Sequence, residues 1–143
     1  MKTTVAKKFR FESAHRLPWH DGLCKNLHGH SYRMTVALEG EPDERGFLVD
    51  FQVIKRVVKP LVEALDHSVL IAQNDELLLT LIQSTDWRYV MLPYDSTSEN
   101  LCRYVAETLR DQAADTLRAH RVSAIHITLS ETDSSYAQLT LSL

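Results

Sequence analysis

Apolar and polar positions alternate with a period of two in some stretches of the chain and recur at helical spacing in others. Val5, Lys7, Phe9 and Phe11 alternate with Thr4, Ala6, Lys8 and Arg10, which predicts a first strand over residues 3–11. The pattern is cleaner over residues 31–39, where Tyr32, Met34, Val36 and Leu38 point one way and Arg33, Thr35, Ala37 and Glu39 the other, as in a half-buried strand. Near the C-terminus Ile125, Ile127 and Leu129 alternate with Ala124, His126 and Thr128, and Ala137, Leu139 and Leu141 alternate with Gln138, Thr140 and Ser142. These read as two closing strands joined by a short turn.

Helical spacing appears twice. Phe51, Ile54, Val58, Leu61 and Leu65 predict a helix from 51 to 65, with Asp50 placed to cap it. Pro60 lies inside this pattern and is expected to kink or split the helix, because it removes a backbone donor and crowds the preceding turn. Leu101, Val105, Leu109, Ala113 and Leu117 predict a second helix, and Ser96-Thr97-Ser98-Glu99 has the spacing of a capping box at its start. Residues 69–93 form an apolar but less regular insert between the helices. Two strands, two helices and two strands in that order predict an α+β fold, an antiparallel sheet with two helices on one face.

At 143 residues the chain has the size of one domain, and residues 1–143 are read as such. A hydrophobic share of 44% and a charged share of 24% are ordinary globular usage and argue against disorder. The formal net charge of -3 offers no overall attraction to nucleic acid or to an anionic membrane. No apolar run approaches the roughly 20 residues that cross a bilayer, and the Met-Lys-Thr-Thr start lacks a signal-peptide core, so a cytoplasmic location is expected. Cys24 and Cys102 are read as free thiols, with Cys102 a core residue among Leu101, Tyr104 and Val105.

Candidate chemistry gathers in the polar stretch between the first two strands, which holds His15, His20, Cys24, His28 and His30. His28 and His30 are two apart at the start of a strand, so both leave the same face, and a hairpin would return His15 to that neighbourhood. Catalytic zinc typically keeps three protein ligands and an open position, for which three histidines suffice. Cys24 is then either a fourth ligand of a closed, structural site or a reactive thiol beside an open one. Lys25 next to it would favour the thiolate. Asp66-His67, at the end of the first helix, can form a proton relay, although an adjacent Asp-His pair is commonly incidental. Glu131 continues the inward parity of Ile127 and Leu129, and a carboxylate there could accept two hydrogen bonds from an amidine-like ring edge. His20, His120 and His126 have weaker claims.

Together these segments resemble the family of 6-pyruvoyl-tetrahydropterin synthases and 6-carboxytetrahydropterin synthases, across nearly the whole chain. The resemblance rests on Phe11-Glu12-Ser13-Ala14-His15-Arg16-Leu17, Cys24 to His30, Val49-Asp50-Phe51, Leu65-Asp66-His67, Thr97-Ser98-Glu99-Asn100 and Ser130-Glu131-Thr132, in that order. It implies that His15, His28 and His30 hold zinc and that Cys24 abstracts a proton with Asp66 and His67 as partners. It also implies that Glu131 anchors a pterin ring, in a pocket lined by Thr97, Ser98 and Glu99. The implied architecture is the tunnelling fold, in which sheets join between subunits into a barrel, commonly a homohexamer of two trimers with sites at subunit interfaces.

The substrate so implied is 7,8-dihydroneopterin triphosphate. One branch eliminates triphosphate to leave a pyruvoyl side chain; the other also breaks a carbon-carbon bond, releasing acetaldehyde and leaving a carboxylate. Three residues separate Cys24 from His28, a spacing similar to that of the bacterial carboxy-forming branch, which serves queuosine and other deazapurines. Arg16 and Lys25 flank the expected site and could supply positive charge for the triphosphate. The chain departs from the family pattern at Val69-Leu70-Ile71 and in the length of the insert through Pro93, which bears on pocket shape. The alternatives are the pyruvoyl-forming activity and a zinc-binding protein without turnover.

Overall fold

The computed structural model describes residues 1–143. Six strands form one sheet, β1 (Thr3–His15), β2 (His28–Gly40), β3 (Ser68–Ala72), β4 (Tyr89–Leu92), β5 (Val122–Thr132) and β6 (Ser135–Ser142), in the spatial order β4-β3-β1-β2-β5-β6. The helices are α1 (Phe51–Leu65), α2 (Glu76–Gln83) and α3 (Ser98–Ala119).

The first two strands run further than their alternation suggested, from the Thr3↔Gly40 pair to the His15↔His28 pair. Glu12, Ser13 and Ala14 are poor strand formers, and tertiary contacts override that preference. The Glu12 N–H donates to Asp66 Oδ1 at 2.8 Å, and Ser13 Oγ donates to the Leu65 carbonyl at 2.6 Å. The end of α1 therefore clamps the end of β1.

The insert corrects the expected antiparallel sheet with two helices. β3 pairs parallel with β1 and β4 pairs parallel with β3, so the sheet is mixed, and α2 is a third helix. Strand β3 is buried on both faces, which replaces alternation by the near-continuous apolar run of a covered parallel strand. Leu70 and Leu92 belong to the main core, whereas Ile71 packs with Leu78 and Ile82. Successive strand residues face opposite sides, so α2 covers the face of β3 turned away from α1.

Two further expectations change in detail. Helix α1 continues unbroken through Pro60, which lies on the exposed side, where water can satisfy the carbonyl freed at Arg56. The cap of α3 is Thr97, whose side chain accepts from the Asn100 N–H at 3.2 Å, one residue beyond the expected Ser96 frame. Ser96 is buried and turned toward His15 instead. The main core of 25 residues lies between α1, α3 and one sheet face, leaving the other face of β1, β2 and β5 open.

Candidate metal and pterin site

The pairing of β1 with β2 sets His15 directly opposite His28 and Ser13 opposite His30, so three imidazoles meet at one end of the covered sheet face. Their potential ligand atoms all lie within 4.8 Å of one another. His15 is only 2% exposed, and its Nδ1–H donates to the Ser96 carbonyl at 2.7 Å. Because a carbonyl can only accept, this bond fixes the tautomer and leaves a lone pair on Nε2. His28 is oriented the same way by the Asn26 carbonyl at 2.7 Å. His15 Nε2 and His30 Nε2 approach to 3.1 Å. That is close to the edge of about 3.3 Å for a tetrahedral ion with metal–nitrogen bonds of about 2.0–2.1 Å. The donor set fits a metal ion held through imidazole nitrogens.

Burial pushes the pKa of His15 below the ordinary imidazole value, against the Ser96 carbonyl and Glu131, which pull it up. Burial likewise lowers His30, with Glu131 opposing. Both shifts favour the neutral, metal-ligating form. Tyr32 is fully buried beside them, with ring centroids 5.4 Å from His30 and 6.1 Å from His15, and its hydroxyl has no hydrogen-bond partner. Burial first, and the Glu131 carboxylate second, raise its pKa and keep the O–H a donor. The alternation of β2 had marked Tyr32 only as core.

Cys24 lies apart from this cluster of ligand atoms, half-exposed in a single 3-10 turn, Leu23–Lys25. The loop that carries it is pinned at its base, where the Leu17 N–H donates to the Cys24 carbonyl at 2.8 Å. Arg16 donates from Nε and Nη2 to the two carboxylate oxygens of Asp75, at 2.7 and 2.6 Å. The guanidinium holds the Asp75 carboxyl below the usual range, and Asp75 in turn caps α2 at the Leu78 N–H. Arg16 is thus engaged as a brace between β1 and the insert. Arg16 and Lys25 line a groove with Leu77, Leu78 and Leu81 of α2.

Asp66 ends α1 with both carboxylate oxygens in use: Oδ1 accepts the Glu12 N–H, and Oδ2 lies 2.9 Å from His67 Nδ1. The Glu12 N–H first, and His67 second, lower the Asp66 pKa. His67 adopts a left-handed backbone (φ 56°), held by its N–H donating to the Glu12 carbonyl, and its side chain is 75% exposed. A positive φ is uncommon for a residue with a side chain and costs of order 1–3 kcal/mol, so the surrounding bonds hold the ring where it is. His67 lines an open depression of about 420 Å³ together with Glu12, Ser13, His30 and Ser31. Cys24 is not among its lining residues, and no hydrogen bond joins Cys24 to Asp66 or His67 within the chain.

Glu131 sits where the pairing of β5 with β6 shifts register. Its carboxylate oxygens lie 3.7 Å from His15 Nε2 and from His30 Nε2. It also lines a second depression, of about 370 Å³, with Thr97, Ser98, Glu99, Leu17, Trp19 and Tyr136. One carboxylate therefore faces both the imidazole cluster and a recess with two aromatic side chains. Trp19 and Tyr136 carry little signal in the sequence beyond being large, exposed aromatics.

A mixed sheet backed by helices, with a three-histidine cluster opening onto a carboxylate-lined recess, is the frame of a small-molecule enzyme. The family model for 6-pyruvoyl tetrahydropterin synthase matches residues 4–141, and the chain belongs to that family. It is 30% identical to a 6-carboxy-5,6,7,8-tetrahydropterin synthase of Haemophilus influenzae, over 94% of this chain and 96% of that protein. With a protein of the same description from Aquifex aeolicus the identity is 28%, over 96% and 98%. In fold the chain is similar to the crystal structure of 6-pyruvoyltetrahydropterin synthase from Plasmodium vivax, with a TM-score of 0.80 at 21% identity, over 100% of this chain and 99% of that one. The α+β architecture is the tunnelling fold of these synthases, and the relatives' activity is of the lyase type. No helix is long and apolar enough to cross a membrane.

Proposed function

We propose that the chain is a zinc-dependent 6-carboxy-5,6,7,8-tetrahydropterin synthase. Its substrate is 7,8-dihydroneopterin triphosphate, its products are 6-carboxytetrahydropterin, acetaldehyde and triphosphate, and its place is cytoplasmic queuosine or deazapurine biosynthesis. The observation that carries this reading is the convergence of His15, His28 and His30, with tautomers set by carbonyls, beside a Glu131 that opens onto the second recess. Zinc held there would polarise oxygens of the substrate side chain. Glu131 accepts hydrogen bonds from the amidine-like edge of the pterin, Thr97, Ser98 and Glu99 line its pocket, and Trp19 and Tyr136 offer apolar faces to the ring. Cys24 takes the proton from the side chain as its thiolate.

Asp66 orients His67 through Nδ1, leaving Nε2 free to give or take a proton. Because Cys24 and the Asp66–His67 pair are not joined in one chain, the homo-oligomer implied by the resemblance, a hexamer of two trimers, is part of the reading. Lys25 remains available to the triphosphate, whereas the guanidinium of Arg16 is already engaged.

The test is mass spectrometry of products from zinc-loaded parent and Cys24→Ala protein given 7,8-dihydroneopterin triphosphate, with zinc measured in both. The expected result is carboxytetrahydropterin and acetaldehyde from the parent alone, with zinc retained by both proteins. A pyruvoyl product would move the chain to the other branch. Loss of zinc on replacing Cys24 would make that residue a ligand and remove its role as base.

A further inference from the structure

Helix α1 ends on the Asp66–His67 pair without the glycine that commonly closes a helix. His67 takes the left-handed conformation that a glycine would occupy there, yet its N–H donates to the Glu12 carbonyl and not back to the helix. The Asp66 N–H makes the last backbone bond, to the Val62 carbonyl, which leaves the carbonyls of Glu63, Ala64, Leu65 and Asp66 without a backbone donor from their own helix. Side chains from three other segments supply the donors. Ser13 Oγ of β1 donates to Leu65, Ser68 Oγ of β3 donates to Ala64 at 2.7 Å, and Arg88 Nη2 donates to Glu63 at 2.6 Å and to Asp66 at 3.3 Å.

Arg88 differs from the two serines in what it brings. Its positive charge sits at the negative end of the helix dipole. One of its nitrogens spans the corner, bonding a carbonyl of the last helical turn and that of Asp66 itself. Its backbone is tied to the far side of the same corner, where the Arg88 carbonyl accepts the Val69 N–H at 3.0 Å. Asp66 and His67 therefore lie between two stretches of chain that Arg88 holds together. After the Glu12 N–H and His67, the Arg88 charge is a further cause lowering the Asp66 pKa, so the carboxylate that faces His67 Nδ1 stays ionised. Arg88 belongs to the insert, outside every segment that carries the family resemblance, and it does not line the depression onto which His67 opens.

We infer that Arg88 is a positioning residue for the proton relay: by fastening the Glu63 and Asp66 carbonyls it holds the left-handed His67 with Nδ1 on Asp66 Oδ2, leaving Nε2 as the unprotonated nitrogen. The inference rests on the proposed reading of His67 as a proton carrier. A left-handed backbone at a residue with a side chain persists only where its surroundings hold it. Without the guanidinium the corner opens, Nδ1 loses its fixed acceptor, and the imidazole proton distributes over both nitrogens.

Solid-state nitrogen NMR of histidine-labelled, zinc-loaded protein at alkaline pH reads the tautomer directly, with His67→Ala assigning the resonances. The parent should show His67 protonated at Nδ1 alone. Arg88→Met, which keeps the apolar stem and removes the donors, should show both tautomers. Arg88→Lys, which keeps a cation at the helix end but not the fork, should restore most of the single form. Asp50→Ala controls for a weakened helix: it removes the cap at the other end of α1, so it should lower the melting temperature and leave the tautomer alone. In turnover, Arg88→Met should lower kcat about tenfold, a part of the roughly 10²–10⁴-fold that a positioned acid or base supplies, with KM and zinc content unchanged. A single Nδ1-protonated form in Arg88→Met, or an equal mixture of forms in Asp50→Ala, would overturn the inference. Turnover that survives His67→Ala would instead remove the reading of His67 as proton carrier, and the tautomer change in Arg88→Met would still show Arg88 holding the pair.

Discussion

The β1–β2 hairpin and the β3–α2–β4 insert are neighbours in the sheet but are built on opposite rules. The hairpin is antiparallel, covered on one face and open on the other, and its polar residues either point outward or meet at the histidine cluster. The insert is parallel, its strand β3 is covered on both faces, and its one buried charge, Asp75, points back at the hairpin through Arg16. The hairpin thus holds the donor atoms, while the insert holds the strand end from which they project. Site residues and supporting residues should therefore fail in different ways.

The largest separation is expected at His30. Replacing a ligand should cost more than the roughly 10–100-fold typical of changes one shell further out, so His30→Ala should lose at least about a hundredfold in zinc affinity. The ring is partly exposed and makes no structural hydrogen bond to backbone, so the melting temperature of metal-free protein should hardly move. Competition with a chromophoric chelator and a melt of the same sample measure both. Unchanged zinc affinity in His30→Ala would mean that the ion is held elsewhere.

The same contrast explains what the sequence shows. Tyr32, Met34, Val36 and Leu38 alternate because β2 has one dry face, and that alternation carries His28 and His30 onto the dry side. The spacing of the histidines was legible for the same reason. Ser68 to Ala72 lies between α1 and α2, so both faces are apolar and no period of two survives. In α2 only Leu78 and Ile82 are buried while Leu77 and Leu81 are exposed, which blurs any helical stripe. The pairing of Arg16 with Asp75 spans 59 residues and belongs to no local pattern, so the carboxylate partner of this guanidinium had no signal in the sequence. Ser96 followed similar logic: its spacing to Glu99 suggested a cap, but its carbonyl and hydroxyl serve His15, and the cap moves to Thr97.

Asp75 should show the insert's contribution as a loss of stability. Asp75→Ala leaves Arg16 without its partner and α2 without its cap. Breaking a buried pair costs roughly 3–5 kcal/mol, and the partial exposure of Arg16 brings the expected loss to about 2–3 kcal/mol. Urea denaturation of metal-free protein measures it. The folded carboxyl lies below its unfolded value of about 3.9. Its contribution is therefore fully present above about pH 3.9 and is lost as pH falls through the lowered folded value. Asp75→Asn, which keeps a cap acceptor, should abolish that part of the acid loss. An acid limb of the same steepness in Asp75→Asn would assign it to other carboxylates and deny the brace.

The smallest effect is expected at Thr97, and it calibrates the one before. Thr97 caps α3 with a single side-chain bond to the Asn100 N–H and has no ion-pair partner. Losing such a cap costs about 1 kcal/mol, so Thr97→Ala should lower stability by that amount, with no change in slope below pH 3.9. Because the cap part of Asp75 is of the same kind, the excess of Asp75→Ala over Thr97→Ala measures the Arg16 brace itself. Equal losses at the two positions would reduce Asp75 to a helix cap and leave the insert with no electrostatic hold on the strand that carries His15.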